Sequence, residues 1–348
     1  MKNNRLVYLL IAILTVWLLY LTFNTIDTSG NSGSLNVNEY NVTGFSTDFT
    51  QTIADVKSTV VTIETDNSIS TGFVYAQNGL KTYIVSTYHG VSNANNIIVN
   101  FDSSYKVVGN ILGYDAYSDV AVIECEIPYE VKTTKLADSS LTKQGEFVIC
   151  IGTPSSLEYK GSVEMGIVSN NLVTIENQVT YEENIYDYYE NLIQLSSNLK
   201  QGYSGAPIIN MNSEAIGMCL MKADSNTNFV LSANELRIIA DKIINGEVYT
   251  KTQFGISGTY LSSLANYEKT FLNLSVETTD GLYISKIKEN GLGFKFGIRV
   301  GDVITSINGF EIATYDDYLN VVYANAETFE ISVIRAGEQI TLTGSIND

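Results

Sequence analysis

A series of short apolar segments, separated by clusters of Gly, Asn and Asp, constrains the fold of residues 49–246 more than any other feature. Short strands at this spacing are typical of an antiparallel barrel or sandwich. Apolar residues fall at helical spacing only near the end of this region, in Ala233–Ile244. We therefore predict a mainly β domain with strands at Val60–Glu64, Gly72–Tyr75, Lys81–Ser86, Asn96–Phe101, Val107–Tyr114, Val120–Glu124, Phe147–Ile151, Ser162–Val168, Leu192–Leu195, Pro207–Asn210, Ala215–Met221 and Phe229–Ser232.

A different pattern follows Gly246 and fills residues 252–346. The strands predicted here are Gln253–Ile256, Gly281–Ile284, Val303–Gly309, Phe329–Ile334 and Gln339–Gly344, with one amphipathic helix at Thr314–Ala324. A smaller α+β module is the natural interpretation. A chain of 348 residues, 45% of them hydrophobic, is long enough for two such domains.

Residues 6–23 form an uncharged apolar run of 18 residues, which is just long enough to cross a bilayer as a helix. Lys2 and Arg5 precede the run, and no basic residue follows it until Lys57. This asymmetry predicts a single-pass cell-membrane protein with residues 1–5 in the cytoplasm, a polar linker at residues 24–48, and both domains on the extracytoplasmic side. A cleaved secretory signal is the alternative.

Charge and cysteine content exclude several classes of function. The 38 acidic residues outnumber the 20 basic ones and give a net charge of −18, which argues against nucleic acid as a partner. Cys125, Cys150 and Cys219 lie in apolar segments and lack the spacing of a disulfide framework or a metal site. We therefore expect buried free thiols and no metal ion.

Ser204 lies in a Gly-Tyr-Ser-Gly turn that can expose its hydroxyl, and the amides of Gly202 and Ser204 can form the oxyanion hole of an acyl-transfer enzyme. His89, the only histidine, ends one apolar segment, and Asp119 begins another. The order His89, Asp119, Ser204 is one in which catalytic triads recur. We predict that Ser204 is the nucleophile, that His89 is its base and that Asp119 fixes the tautomer of His89.

Each of these three residues has either a non-catalytic interpretation or a competing candidate. The segment around Ser204 also suits an ordinary turn, and a lone histidine is more often structural than catalytic. Asp102 and Asp115 compete with Asp119, but Asp102 is typical of a hairpin turn and Asp115 of a loop before the strand. The position of Asp119 at a strand end favours it over both.

A set of motifs then occurs in one order along the chain: Ser70-Thr71-Gly72-Phe73, Ser86-Thr87-Tyr88-His89-Gly90-Val91, Asp119-Val120-Ala121-Val122-Ile123, Cys150-Ile151-Gly152-Thr153-Pro154, Gly166-Ile167-Val168-Ser169 and Lys200-Gln201-Gly202-Tyr203-Ser204-Gly205-Ala206-Pro207. By these motifs the chain resembles the HtrA (Deg) family of serine proteases from about residue 50 to its end. The resemblance implies a chymotrypsin-like double β-barrel followed by a PDZ domain. It also implies a trypsin-like serine endopeptidase of protein quality control and stress response, which cleaves unfolded or misfolded proteins without a cofactor and forms a homotrimer.

The resemblance is weakest around the oxyanion loop. Lys200-Gln201, Tyr203 and Ala206 replace the family's Asn-Pro, Asn and Gly, and Ser196-Ser197 replaces Asp-Ala. Gly202 is kept, so the amides of Gly202 and Ser204 are both available as donors. The sequence does not determine which conformation the loop adopts at rest.

The acidic, tyrosine-rich loop at residues 170–191 corresponds by position to the family's activation loop, or is a solvated surface loop. Residues 199–202 and 216–220, which should line the pocket for the residue before the scissile bond, include no acidic residue. The resemblance therefore implies a small or medium apolar residue there.

The resemblance extends to the C-terminal module. Gln253-Phe254-Gly255-Ile256 is similar to the family's carboxylate-binding Tyr-Leu-Gly-Ile, and Gly297–Ile304 and Ile307–Gly309 match two further PDZ motifs. A PDZ domain adds a peptide C-terminus as a strand, here through Phe254, Gly255 and Ile256. A packing module without a ligand is the alternative.

Two other functions stay open. One is a catalytically silent PDZ scaffold that binds exposed C-termini, which the altered oxyanion loop permits although the retained Ser-His-Asp set argues against it. The other is a narrow signalling protease with one membrane-associated substrate, for which the acidic loop would be an exosite.

Overall fold

The computed structural model describes residues 13–17, 48–101, 105–181, 184–220 and 228–347. Within these ranges, no helix has both the length and the apolar character needed to cross a membrane. The predicted cytoplasmic tail, most of the predicted span at residues 6–23 and most of the linker at residues 24–48 lie outside the described residues.

Six antiparallel strands close into a first barrel in the order β1-β2-β3-β6-β5-β4. The strands are β1 (Val60–Thr65), β2 (Ile69–Asn78), β3 (Lys81–Thr87), β4 (Ile97–Asn100), β5 (Lys106–Asp115) and β6 (Val120–Glu126). Ile63, Ile84 and Ile123 are fully buried in its interior. A short helix, α1 (Thr50–Val56), precedes β1.

A second barrel has the order β10-β11-β12-β9-β8-β7. Its strands are β7 (Phe147–Gly152), β8 (Ser162–Tyr181), β9 (Asn184–Leu195), β10 (Pro207–Ile209), β11 (Ala215–Leu220) and β12 (Asn228–Ser232). The two six-stranded barrels confirm the predicted mainly β architecture.

The segment predicted as an acidic loop at residues 170–191 is a β-hairpin instead. Strands β8 and β9 remain paired from Val168↔Leu195 to Tyr181↔Asn184, with several register shifts. The segment is rich in Val, Ile, Thr and Tyr, which have high β propensity, and its acidic residues obscured that signal.

Helix α2 (Ala233–Ile244) spans the range that the sequence predicted. The side chain of Ser232 accepts a hydrogen bond from the amide of Glu235 and caps the first turn. The helix packs on β5, β6 and β11 and buries Leu236 and Ile239, so it contacts both barrels.

The C-terminal domain is a sheet in the order β13-β14-β15-β17-β18, with β16 paired to β15. Its elements are β13 (Ile256–Tyr260), α3 (Asn266–Phe271), β14 (Leu282–Ile287), α4 (Leu292–Lys295), β15 (Val303–Ile307), β16 (Phe310–Glu311), α5 (Tyr315–Val322), β17 (Thr328–Arg335) and β18 (Glu338–Ser345). The predicted strand at Gln253 begins only at Ile256, because Gly255 has a φ of +66°. The predicted strand from Val303 ends at Ile307, because Asn308 has a φ of +51°.

A buried ion pair joins the barrels to the C-terminal domain. Lys251 Nζ lies 2.6 Å from the carboxylate of Glu235 on α2, and both side chains are almost fully buried. The hydroxyls of Tyr315 and Tyr323 also donate to Glu235, at 2.8 and 2.9 Å. The Ser118 hydroxyl also donates to it, at 3.5 Å, so the carboxylate has four donors from outside α2, as a buried charge requires.

We expect Lys251→Ala to lower the free energy of unfolding by about 3 kcal/mol, because it leaves a buried carboxylate without its counter-charge. The matched control is Lys81→Ala, which removes an exposed partner of Glu124 and should cost about 1 kcal/mol or less. Urea denaturation measures both. Equal losses in the two variants would contradict the role of the buried pair.

Candidate active site

His89, Asp119 and Ser204 lie together where the two barrels meet. His89 follows β3, Asp119 directly precedes β6, and Ser204 lies in the loop between β9 and β10. The ring Nδ1 of His89 lies 2.6 Å from Oδ2 of Asp119, and Nε2 lies 3.3 Å from Oγ of Ser204. The imidazole thus lies between a carboxylate and a hydroxyl, in the order of a catalytic triad.

The carboxylate of Asp119 holds His89 at two points. One oxygen contacts the ring, and the other accepts a hydrogen bond of 2.8 Å from the backbone amide of His89. Asp119 has a φ of +56°, a region that non-glycine residues adopt rarely. Its carbonyl accepts from the amide of Tyr88 at 3.1 Å. This strained residue is therefore fixed by both its backbone and its side chain.

The competing residue Asp115 takes a different position. Asp115 is buried, and its carboxylate accepts hydrogen bonds from the amide of Ser118 and the hydroxyl of Tyr249. Asp102 lies outside the described residues.

Asp119 also sets the ionisation of His89. Burial lowers the pKa of His89, but the hydrogen bond and the negative charge of Asp119 raise it by more, so the net pKa is raised. The ordinary value is about 6.5. The imidazole is therefore a stronger base than free histidine, as a residue that takes a proton from serine needs to be.

The oxyanion loop leaves two amides available. The carbonyl of Gln201 accepts from the amide of Ser155 at 2.9 Å, so the N–H of Gly202, on the opposite edge of that peptide, points away from Ser155. The carbonyl of Tyr203 accepts from the amide of Ala206 in the same way, at 2.9 Å. Within the described part of the chain, the amides of Gly202 and Ser204 donate to no other group.

Tyr203, which replaces an asparagine of the family motif, lies inside the second barrel. It is fully buried in a cluster with Cys150, Leu199 and Ile216. Its hydroxyl has no hydrogen-bond partner among the described residues, and burial raises its pKa. The substitution thus fills the core beneath the loop, and the predicted pocket residues Leu199 and Ile216 pack around it.

Thr71 contacts the oxyanion loop, which its sequence motif did not predict. Its hydroxyl donates to the carbonyl of Gly202 at 2.7 Å, and its amide donates to the carbonyl of Ser204 at 2.9 Å. Thr71 lies within one of the recognised motifs, but nothing in the sequence indicates that it reaches residues more than a hundred positions away.

The predicted carboxylate-binding segment of the C-terminal domain is a loop before β13. The carbonyls of Phe254 and Gly255 accept from the amides of Gly293 and Lys288, both at 2.7 Å. Phe254 is fully buried against Phe296. Strand β13 pairs only with β14 among the described strands, so its other edge has no strand partner there.

The cysteines are placed as expected. Cys125, Cys150 and Cys219 are buried free thiols, and burial raises the pKa of Cys125 and of Cys219 to about 12. Within the described ranges, no group of three or more His, Cys, Asp or Glu side chains is arranged to hold a metal ion.

Comparison with known proteins agrees with this geometry. A family described as a trypsin-like peptidase domain matches residues 70–218, and a PDZ domain family matches residues 283–335. The chain is 29% identical over 302 residues to "Serine protease HtrA-like" of Staphylococcus epidermidis, which covers 83% of this chain and 50% of the relative. It is 25% identical over 287 residues to "Serine protease Do-like HtrA" of Bacillus subtilis, which covers 80% of this chain and 63% of the relative.

Solved structures show the same fold. The HtrA-type protease AlgW with a tripeptide superimposes with a TM-score of 0.60 at 21% identity, covering 86% of this chain and 96% of AlgW. The chain spans about half the length of the Staphylococcus epidermidis relative. It contains a trypsin-like peptidase domain and a PDZ domain, and HtrA serine proteases are its homologues. These findings support a serine endopeptidase.

We expect activity to fall as the pH drops through the raised pKa of His89, because only the neutral imidazole accepts a proton. Asp119→Asn should move this acid limb to lower pH and reduce kcat by about 10⁴-fold. The control is Asp66→Asn, whose exposed carboxylate bonds Asn95 and Asn96 instead. Profiles of kcat/KM from about pH 5 to pH 9 measure the shift, and an unchanged acid limb in Asp119→Asn would contradict the assignment.

Proposed function

We propose that this protein is a membrane-anchored, extracytoplasmic serine endopeptidase of the HtrA type that cleaves unfolded or misfolded polypeptides. The observation that carries the proposal is the placement of His89 between Asp119 and Ser204, beside the amides of Gly202 and Ser204, which donate to no other group in the described part of the chain. The peptidase domain would span residues 49–246 and the PDZ domain residues 252–346. The apolar run at residues 6–23, with Lys2 and Arg5 before it, supports the anchor and its orientation.

The proposed mechanism is acyl transfer. Ser204 Oγ attacks the scissile carbonyl while His89 Nε2 takes its proton, and the amides of Gly202 and Ser204 donate to the resulting oxyanion. His89 then gives that proton to the leaving amine, and the C–N bond breaks. Water, deprotonated by His89, attacks the acyl-enzyme. The ester C–O bond to Ser204 then breaks, His89 returns the proton to Ser204 Oγ, and the second product leaves with a new carboxyl group. Asp119 keeps the proton of His89 on Nδ1 throughout.

The PDZ domain would bind peptide C-termini along β13. The carboxylate would lie at Phe254, Gly255 and Ile256, and the peptide would run antiparallel to β13, with its upstream residues beside Tyr260. A cavity of about 170 Å³ lies at that end, lined by residues of both domains, among them Asn171 and Thr314. Solved structures of AlgW hold a tripeptide or a decapeptide, which supports peptide binding by homologues.

The PDZ domain would also regulate the peptidase. The hydroxyl of Tyr323, which follows α5, lies 3.3 Å from the hydroxyl of Ser118, the residue before Asp119. A peptide bound between β13 and α5 could act on the Asp119 loop through this contact. The homotrimer rests on the family resemblance alone and stays a prediction.

The alternative, a catalytically silent PDZ scaffold, rests on the altered residues of the oxyanion loop. The loop nevertheless leaves the amides of Gly202 and Ser204 available, which favours the enzyme. A narrow signalling protease would share the same site and differ in its substrates.

We expect the full chain to hydrolyse unfolded casein and Ser204→Ala to abolish this activity, since loss of such a nucleophile costs about 10⁶-fold in kcat. A peptide with an apolar C-terminal residue should stimulate hydrolysis, and Ser204→Ala should still bind that peptide because its PDZ domain is intact. Turnover by Ser204→Ala at the wild-type rate would contradict the triad. Peptide binding by a wild type that cleaves nothing would favour the scaffold.

A further inference from the structure

The oxyanion loop belongs to the second barrel, but a residue of the first barrel holds it. Thr71 lies on β2 and is fully buried. Its hydroxyl donates to the carbonyl of Gly202 at 2.7 Å and accepts from the amide of Thr153 at 3.0 Å. Its amide donates to the carbonyl of Ser204 at 2.9 Å, so one residue contacts both residues of the oxyanion hole.

The direction of these hydrogen bonds is fixed by their partners. The amide of Thr153 can only donate, and the carbonyl of Gly202 can only accept. The single hydroxyl hydrogen of Thr71 must therefore point at Gly202. A side chain without a hydroxyl at this position would leave both a buried N–H and a buried carbonyl without a partner.

We infer that Thr71 is a positioning residue of the oxyanion hole, and that its hydroxyl fixes the peptide between Gly202 and Tyr203 so that the amides of Gly202 and Ser204 stay aimed at the reacting carbonyl. This inference rests on the proposed peptidase function.

The loop of this chain depends on such a contact because its own sequence restrains it weakly. Gln201 stands where the family motif has proline, so the φ angle before Gly202 is not fixed by a ring. Gly202 itself has a φ of +101° and no side chain to limit it. The neighbouring peptides are held through Ser155 and Ala206, and Thr71 holds the peptide between them.

Thr62 provides a matched control. It is the register partner of Thr71 on β1 and is equally buried. Its hydroxyl also contacts Thr153, with 2.5 Å between the two Oγ1 atoms. Among the described residues, it makes no hydrogen bond to the oxyanion loop. Thr62→Val therefore tests the packing between the barrels and leaves the contacts of the oxyanion hole intact.

The experiment compares Thr71→Val, Thr71→Ser and Thr62→Val in the full chain. For each variant we would measure kcat and KM on a peptide substrate. We would also measure the affinity for a peptide boronic acid, which forms a tetrahedral adduct with serine. We expect Thr71→Val to lower kcat and boronate affinity by about 10- to 100-fold, with KM changed by less than about twofold. Thr71→Ser should restore both, and Thr62→Val should stay near wild type.

Unchanged kcat in folded Thr71→Val would overturn the inference while the peptidase function stands. Equal losses in Thr71→Val and Thr62→Val would also overturn it, because they would assign the effect to packing. If Thr71→Val does not fold, Thr71→Ala against Thr71→Ser makes the same comparison. A wild type with neither Ser204-dependent turnover nor boronate binding would overturn the proposed function and this inference together.

Discussion

The hydrogen bonds between the two barrels are the constraint on which the site depends. His89 and Asp119 come from the first barrel and Ser204 from the second, so the 3.3 Å between His89 and Ser204 is set by how the barrels pack. Thr71 of the first barrel reaches Thr153, Gly202 and Ser204 of the second, in a region from which solvent is excluded. Polar contacts in such surroundings are directional and costly to break, which makes the barrel positions well defined.

The sequence predicted the parts of this protein that local patterns encode. Strand positions, helix α2 and the order of the triad all follow from apolar spacing and from residue types at strand ends. What it could not predict depends on contacts distant in the chain: Thr71 and Gly202 are separated by 131 positions. The extension of β8 and β9 was missed for another reason, because acidic residues in a tyrosine-rich segment indicate a loop as readily as a pair of strands.

The contact between the domains is built from charged and polar groups, whereas the cores of the domains are apolar. Lys251 and Glu235 are paired and hydrogen-bonded at positions where apolar residues of similar size would often stabilise the protein as well or better. The pair instead restricts the contact to one geometry, because the ammonium group of Lys251 and the hydroxyls of Tyr315 and Tyr323 must all reach one carboxylate. We interpret the network as a means of fixing how the PDZ domain is held against the Asp119 loop.

His89 is the only histidine in the chain, and its side chain is about half exposed. Isotopic labelling of histidine would therefore produce the signals of one imidazole ring in this protein of 38.2 kDa, and these signals need no assignment to a residue. The chemical shifts of its two ring nitrogens report the protonation state and tautomer of one ring, next to the Ser204 hydroxyl. The molecule thus carries a built-in spectroscopic reporter of its site, which any ligand of either domain would perturb if it moved Asp119.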